Sequence, residues 1–292
     1  MGKKITQLTI LGGSGFLGSA LADLLSKKKN TKIIIFDTKK KKYLLKGQKF
    51  VRGSILNFNQ LKKGIKGSQY VFNFAALADL DYARNKPLKT AEINISGTIK
   101  SLIICNKYKV KKFIQASSIY ANSEQGGFYG ASKKAAEDYI ERFFKKFKLK
   151  FTILRFGSLY GQGADNNNGI NRIIDFALKN KILLYRGSQK AARRYIHVSD
   201  ACVACSESIK KKYDNKYLNI TGPKKIKIKQ LLKILSDITN ISYKKIIFKN
   251  FLNEGHYINE PRIFIPRQGI KFNLKKHRIL KEELVNLYSE RR

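Results

Sequence analysis

A doubly wound α/β fold on a parallel sheet is the class this sequence predicts, and three observations predict it. Short apolar runs alternate with stretches of helical periodicity through the first half of the chain. The first run leads straight into a glycine-rich turn that opens a helix, and the second ends on an acid. The 292 residues, 43% of them hydrophobic, can bury a full core, and no long polar linker or repeat interrupts them. One interleaved body is expected.

Ile5 to Leu11 reads as an apolar strand, Gly15 to Ser26 as a helix, and Lys32 to Phe36 as a second strand ending at Asp37. Further strands are predicted at Lys49 to Arg52, Tyr70 to Phe74, Lys112 to Ser117 and Phe151 to Arg155, with helices between them. Pro87 suits the first turn of a helix running to about Tyr108, where its missing N–H would be unbonded anyway. After Gly161 the pattern changes to the polar loop Asp165-Asn166-Asn167-Asn168-Gly169, a helix, a short strand near Leu183, and mixed elements. The expected division is a nucleotide-binding core over residues 1–160 and 186–222 and a substrate-binding region over 161–185 and 223–292.

Lys and Arg number 60 against 20 Asp and Glu, a net charge of +40. The basic residues are scattered, and the short clusters at Lys39 to Lys42, Lys210 to Lys212 and Lys224 to Lys229 carry no interleaved stacking aromatics. The surplus therefore reads as a solvated, anion-attracting surface, with no specific nucleic-acid partner. Three Cys argue against a disulfide framework, and Cys202 and Cys205, a single CxxC in an expected helix, read as small buried apolar residues. No run is long enough for a signal peptide or a membrane span, so a cytoplasmic location is expected.

Gly12, Gly15 and Gly18 form a GxxGxxG turn between the first strand and the first helix. Glycines there permit a tight turn, let backbone N–H groups approach a pyrophosphate at the positive helix end, and allow close helix packing. Asp37 follows Gly18 near the interval of about 20 residues expected of a carboxylate that accepts from ribose hydroxyls. It would repel a 2′-phosphate, which favours NAD over NADP, while the lysines at 39 to 42 partly offset that preference.

Six segments carry a resemblance to a known family. Phe72-Asn73-Phe74-Ala75-Ala76, Asn94-Ile95-Ser96-Gly97-Thr98, Ala116-Ser117-Ser118, Tyr129-Gly130-Ala131-Ser132-Lys133, Leu154 to Gly161 and Arg193 to Asp200 occur in that order. In this the chain resembles the NAD-dependent nucleotide-sugar epimerases and dehydratases of the extended short-chain dehydrogenase/reductase superfamily, over residues 5 to about 235. Tyr82/Lys86 and Tyr108/Lys112 share the YxxxK spacing, but only Tyr129/Lys133 opens a helix just after a strand that ends in serines. Residues i and i+4 share a helix face, so the Lys133 ammonium is expected beside the phenol, lowering its pKa toward neutrality.

The resemblance implies a Rossmann-like fold with Tyr129 as acid/base, Lys133 also binding the nicotinamide ribose, and Ser118 bonding the reacting oxygen, with Ser117 as the fallback. It implies NAD as cofactor, bound by Gly12, Gly15, Phe16, Leu17, Gly18, Asp37, Ser54, Ile55, Ala75, Ala76 and Asn94 together with Tyr129 and Lys133. It also implies a nucleotide-sugar substrate held by Ser118, Ser158 and Arg193, and a homodimer. Ser54 stands where the family has an Asp at the adenine, Ser158 replaces a common Asn, and Asn122 stands where a Tyr is usual. For Arg193 a plain surface role competes with a grip on the diphosphate. His197 is expected to be structural, and neither His256 nor His277 has metal-ligand spacing to carboxylates or Cys.

Dehydratases of this family follow the catalytic Ser/Thr with an Asp-Glu pair. Here Ile119 and Tyr120 follow Ser118, and Glu124 is the first acid beyond. The sequence therefore favours an epimerase that oxidises a sugar hydroxyl transiently and returns the hydride. A dehydrogenase/reductase, a dehydratase and a non-catalytic NAD-binding scaffold are the alternatives.

Overall fold

The computed structural model describes residues 5–123, 125–249, 269–274 and 276–291. Its centre is an eight-stranded sheet in the order β3-β2-β1-β4-β5-β6-β11-β14, parallel at every pairing. The strands are β1 (Thr6–Leu11), β2 (Thr31–Asp37), β3 (Gln48–Arg52), β4 (Tyr70–Asn73), β5 (Lys112–Ser118), β6 (Lys150–Phe156), β11 (Lys216–Ile220) and β14 (Ile270–Lys271). Successive residues point to opposite faces. Thus Ile35, Ile114 and Leu154 join the core on one side, and Phe36, Phe113 and Ile153 that on the other.

Two helices cover the first face: α1 (Phe16–Ser26), through Leu17, Leu21 and Leu25, and α8 (Val198–Glu207), through Ala201, Cys202 and Cys205. The second face is covered by α2 (Phe58–Ile65), α5 (Gly97–Lys107) and α6 (Gly127–Phe147). Between β4 and α5 lie α3 (Leu80–Asn85) and α4 (Pro87–Ala91). Pro87 opens α4 as expected, but the helix onward to Lys107 is broken by a π-helical segment over Glu92–Ser96. That widening turns Asn94 inward, where it is 1% exposed.

A third core lies apart from the sheet, formed by α7 (Gly169–Asn180), α9 (Ile228–Thr239) and α10 (Leu280–Ser289) with Leu183 of β8 (Leu183–Arg186). Three two-stranded ladders join the parts. β7 (Ser158–Tyr160) pairs with β10 (Tyr195–His197), β9 (Ala192–Arg193) with β12 (Ile226–Lys227), and β8 with β13 (Ile246–Lys249). The division between core and tail is less clean than expected, because Ile270–Lys271 extends the central sheet and Phe272 packs into its first core.

The Cys202 and Cys205 thiols are buried and pushed up by desolvation, Cys202 to about 12. His197 ends β10, and its Nδ1 accepts from Ser199 N–H at 3.3 Å as the cap of α8. Among the described residues no three His, Cys, Asp or Glu side chains could hold a metal ion, and no helix could cross a membrane. His256 lies outside the described residues.

The far end of α8 rests on a buried cation. Lys112, 2% exposed, donates to the carbonyls of Ser208, Ile209 and Lys210 at 2.9–3.1 Å and pairs with Asp214 at 2.5 Å. A positive charge is favourable at a helix carboxyl end. Replacing it by Met leaves three inward-facing carbonyls without a donor, so Lys112→Met is expected to lower the unfolding free energy by about 3 kcal/mol, read as a lower urea midpoint.

Candidate active site

The chain places the carboxyl ends of its central strands around one cleft of about 560 Å³. β1 has β2 on one side and β4 on the other, so successive connections leave in opposite directions and open a crevice at that point. The turn after β1 fits there only because it lacks side chains. Gly12 has φ +76°, and a Cβ on it would sit 2.5 Å from the Ala75 backbone nitrogen. A Cβ on Gly18 would lie 2.2 Å from the Gly12 carbonyl oxygen, so α1 packs on the turn itself. Gly15, Phe16 and Leu17 line the cleft, and among the described residues no side chain caps α1.

Asp37, at the end of β2, accepts from Ser14 N–H at 3.0 Å on Oδ2 and from Lys39 N–H at 3.1 Å on Oδ1. The Ser14 Oγ is buried and has no hydrogen-bond partner among the described residues. Lys41, in the basic stretch that follows, is itself buried in an ion pair with Asp23, which also accepts from Gln48 Nε2.

Ser118, Tyr129 and Lys133 come together on the cleft wall, from the tip of β5 and the first two turns of α6. The Ser118 hydroxyl accepts from Tyr120 N–H at 3.2 Å, which leaves its proton for the Tyr129 oxygen, the hydrogen bond that favours the phenolate. The Lys133 Nζ donates to the Ala116 carbonyl at 3.1 Å and stands 5.6 Å from the centre of the Tyr129 ring. This corrects the expectation that the ammonium depresses the phenol. Burial dominates instead and pushes Tyr129 up to about 12, with Ser118 opposing it. Burial also draws Lys133 down to about 8, against the pull of Glu137. Of the two groups it is the amine that burial draws toward neutrality, while it sits over the ring and on a carbonyl rather than at the phenol oxygen.

Ser158 and Arg193 line the same cleft, as does Ala76. Ser54 is tied into its own turn, its N–H donating to Gln60 Oε1 at 2.8 Å and its hydroxyl accepting from Leu56 N–H. Ile55 is a core side chain, packed where a Cβ on Gly97 would meet it at 2.4 Å. Asn94 clasps both backbone groups of Leu77 and donates to Ser132 Oγ, so it positions the loop after β4 against α6. Ser117 also lines the cleft, but its hydroxyl is committed to Glu137, to which it donates at 2.5 Å. The decoy Tyr82 is 51% exposed on α3, and Lys112 serves α8.

Several cleft residues escaped the sequence reading. Asp79 and Asp81 stand at and after the cap of α3, and Arg172 on α7 lies 3.7 Å from Asp81. Tyr120 lines the floor, its ring edge against Tyr129 at 6.4 Å. Beneath the trio, Glu137 and Arg155 form a buried ion pair. An acid at i+4 from Lys133 on a largely apolar face, and an Arg inside the apolar run 151–156, were the available signals.

The model of the NAD dependent epimerase/dehydratase family matches residues 8–221. A dTDP-D-glucose 4,6-dehydratase of Dictyostelium discoideum is 32% identical over 67% of this chain, which covers 54% of that relative's length. A putative UDP-glucose 4-epimerase of Methanocaldococcus jannaschii is 27% identical over 78% of this chain and 81% of its own. Among solved structures, the UDP-glucose 4-epimerase of Thermotoga maritima with UDP-glucose superposes with a TM-score of 0.82. It is 25% identical, over 97% of this chain and 98% of that one.

The strained charge of Lys133 has a measurable consequence. Its amine falls from its ordinary value of 10.5 to about 8 on folding, so below about pH 8 both states hold the proton and the folded state bears the full cost. As pH rises toward 10.5 the folded protein releases that proton first, and the cost disappears. Lys133→Met is thus expected to raise Tm at pH 7, and the gain should shrink between pH 8 and 10; a lower Tm at pH 7 would contradict it.

Proposed function

The chain belongs to the NAD-dependent epimerase/dehydratase family of extended short-chain dehydrogenases/reductases, and on that premise we propose that it epimerises a nucleotide-linked sugar through transient oxidation of one hydroxyl. The cradle suits a dinucleotide. It has glycines with no room for a Cβ, an unpartnered buried Ser14 hydroxyl, and an Asp37 carboxylate held by backbone amides. Lys41 is committed to Asp23, which removes one counterweight to the Asp37 preference for an unphosphorylated ribose. Gly12, Gly15, Gly18 and Asp37 would hold NAD, with Lys133 at its nicotinamide ribose; bound there, NAD supplies a hydride acceptor that also gives the hydride back.

The residues do the rest. Tyr129 stays protonated at neutral pH in this geometry, so it is poised to donate to a carbonyl oxygen, with Ser118 beside it. Taking a proton from a hydroxyl requires the phenolate, and Lys133 is the cation close enough to favour it by leaving the Ala116 carbonyl for the phenol oxygen. Arg193 and Ser158 would meet the diphosphate and sugar.

One observation carries the choice of epimerisation over dehydration. The positions after Ser118, where eliminating water would call for an acid and a base, are filled by Ile119 and Tyr120, 4% and 8% exposed. Glu124 lies outside the described residues. A homodimer working in the cytoplasm belongs to the same reading. Ile103 on α5 and Tyr139 and Phe147 on α6 leave apolar surface exposed, and the three buried free thiols fit a reducing compartment.

Incubation with NAD and a panel of nucleotide sugars is expected to yield, by NMR, a product inverted at one sugar carbon with no net absorbance of reduced cofactor. A 4-keto-6-deoxy product, or reduced cofactor accumulating with turnover, would rule epimerisation out. Tyr129→Phe is expected to lower turnover by about 10²–10⁴-fold with little change in NAD affinity. Asp37→Ala should weaken NAD binding and narrow its advantage over NADP in direct titrations; a native preference for NADP would refute that role.

A further inference from the structure

Glu137 is fully buried and lies one helical turn beyond Lys133, which itself lies one turn beyond Tyr129. Its carboxylate accepts from Arg155 Nε at 3.0 Å and Nη2 at 2.6 Å, and from the Ser117 hydroxyl at 2.5 Å. Arg155, 1% exposed, is held in turn by the Asn122 side-chain oxygen, at 3.0 and 2.7 Å with the amide turned to face it, and by the Tyr217 ring at 4.4 Å.

Such a pair is weak evidence for stability, since apolar residues of similar volume often serve a core as well. What the pair does is geometric. Ser117 sits between Ala116, whose carbonyl receives the Lys133 Nζ, and Ser118, which bonds the phenol. The carboxylate therefore fixes the tip of β5 against α6 at the residue that joins both catalytic contacts. It is also the anion that acts on the desolvated Lys133, and it favours the charged amine. The described groups around it are Lys133 on α6, Ser117 on β5, Arg155 on β6 and Asn122 beyond β5, with Tyr217 of β11 reaching Glu141 of α6.

We propose that Glu137, anchored by Arg155, is a positioning residue for the reaction, which holds Lys133 as an ammonium and keeps Ser118 in register with Tyr129. The inference rests on the roles given above to Ser118, Tyr129 and Lys133. Since Lys133 must be charged to favour the phenolate and to hold a ribose, loss of Glu137 should move the alkaline limit of function to lower pH.

The test follows the Lys133 amine directly, by ¹⁵N NMR of lysine-labelled protein saturated with NAD, its resonance assigned by loss in Lys133→Met. In Glu137→Gln the titration midpoint is expected to fall by about one pH unit or more, and the alkaline limb of NAD affinity with it. Glu137→Asp, which keeps the charge, should hold the midpoint within a few tenths of a unit while turnover drops. If Glu137→Gln fails to fold because Arg155 loses its carboxylate, Glu137→Gln combined with Arg155→Met is read instead and should show the same fall. An unmoved midpoint in whichever of these folds would overturn the proposal and leave Glu137 a purely structural residue. Because the midpoint is read without turnover, failure of the epimerase reading would leave this result standing. Conversely, an unmoved midpoint would not touch epimerisation.

Discussion

Parallel pairing of every strand in the central sheet is the constraint on which the site depends. A parallel pair cannot be closed by a hairpin, so each connection must cross a face of the sheet, and the apolar runs are buried on both sides. The carboxyl ends of β1, β4, β5 and β6 then emerge together, and the chain has to turn there in little space. Gly12 passes against the Ala75 backbone and Gly18 against the Gly12 carbonyl. The same crowding brings the tip of β5 under the start of α6. The glycine turn and the cluster of Ser118, Tyr129 and Lys133 are in this sense two consequences of one topology.

Buried cations make a second pattern. Lys112 is met by three helix-end carbonyls and Asp214, and Arg155 by a two-point carboxylate, Asn122 and an aromatic face. Lys133 has one carbonyl and the face of a tyrosine, with its nearest carboxylate a helical turn away. Burial draws both lysine amines down, Lys112 against the Asp214 carboxylate in contact with it, and Lys133, to about 8, against a carboxylate a helical turn away. A charge that the fold leaves poorly served is one available to chemistry.

Much of this was legible in the residues, for reasons that also mark where legibility ends. The strands of the first half were readable because a buried parallel strand is a continuous apolar run with polar ends, and Pro87 announced its helix by its own geometry. The π-helical turn at Glu92–Ser96 was not, since nothing in composition separates an i+5 from an i+4 bond. Tyr129 and Lys133 could be placed on one face by spacing, but the sense of the phenol's shift depended on which way a flexible amine pointed and how dry its surroundings were. Ile55 and Asn94 came by likeness to the cradle, and their side chains turn into the packing around it. β14, only two residues long, carries no periodicity to read.

The charge of the chain bears on the cofactor in a way its total does not suggest. With 20 acids against 60 basic residues, many acids are drawn into specific pairings: Asp23 with Lys41, Asp214 with Lys112 and Lys150, Glu137 with Arg155, Glu283 with Arg278. Asp37 departs from this. Lysines occupy 39 to 42 immediately beyond it, yet among the described residues its carboxylate is bonded by the backbone N–H groups of Ser14 and Lys39 and the Thr38 hydroxyl. Two amides orient the carboxylate and bring no countercharge, so lone pairs remain for a further donor. A neighbouring ammonium would have occupied them, and would have welcomed the 2′-phosphate that an unneutralised carboxylate repels. In so basic a chain, a carboxylate that no described lysine pairs with supports the proposed ribose partner better than does the spacing of Asp37 from the glycines.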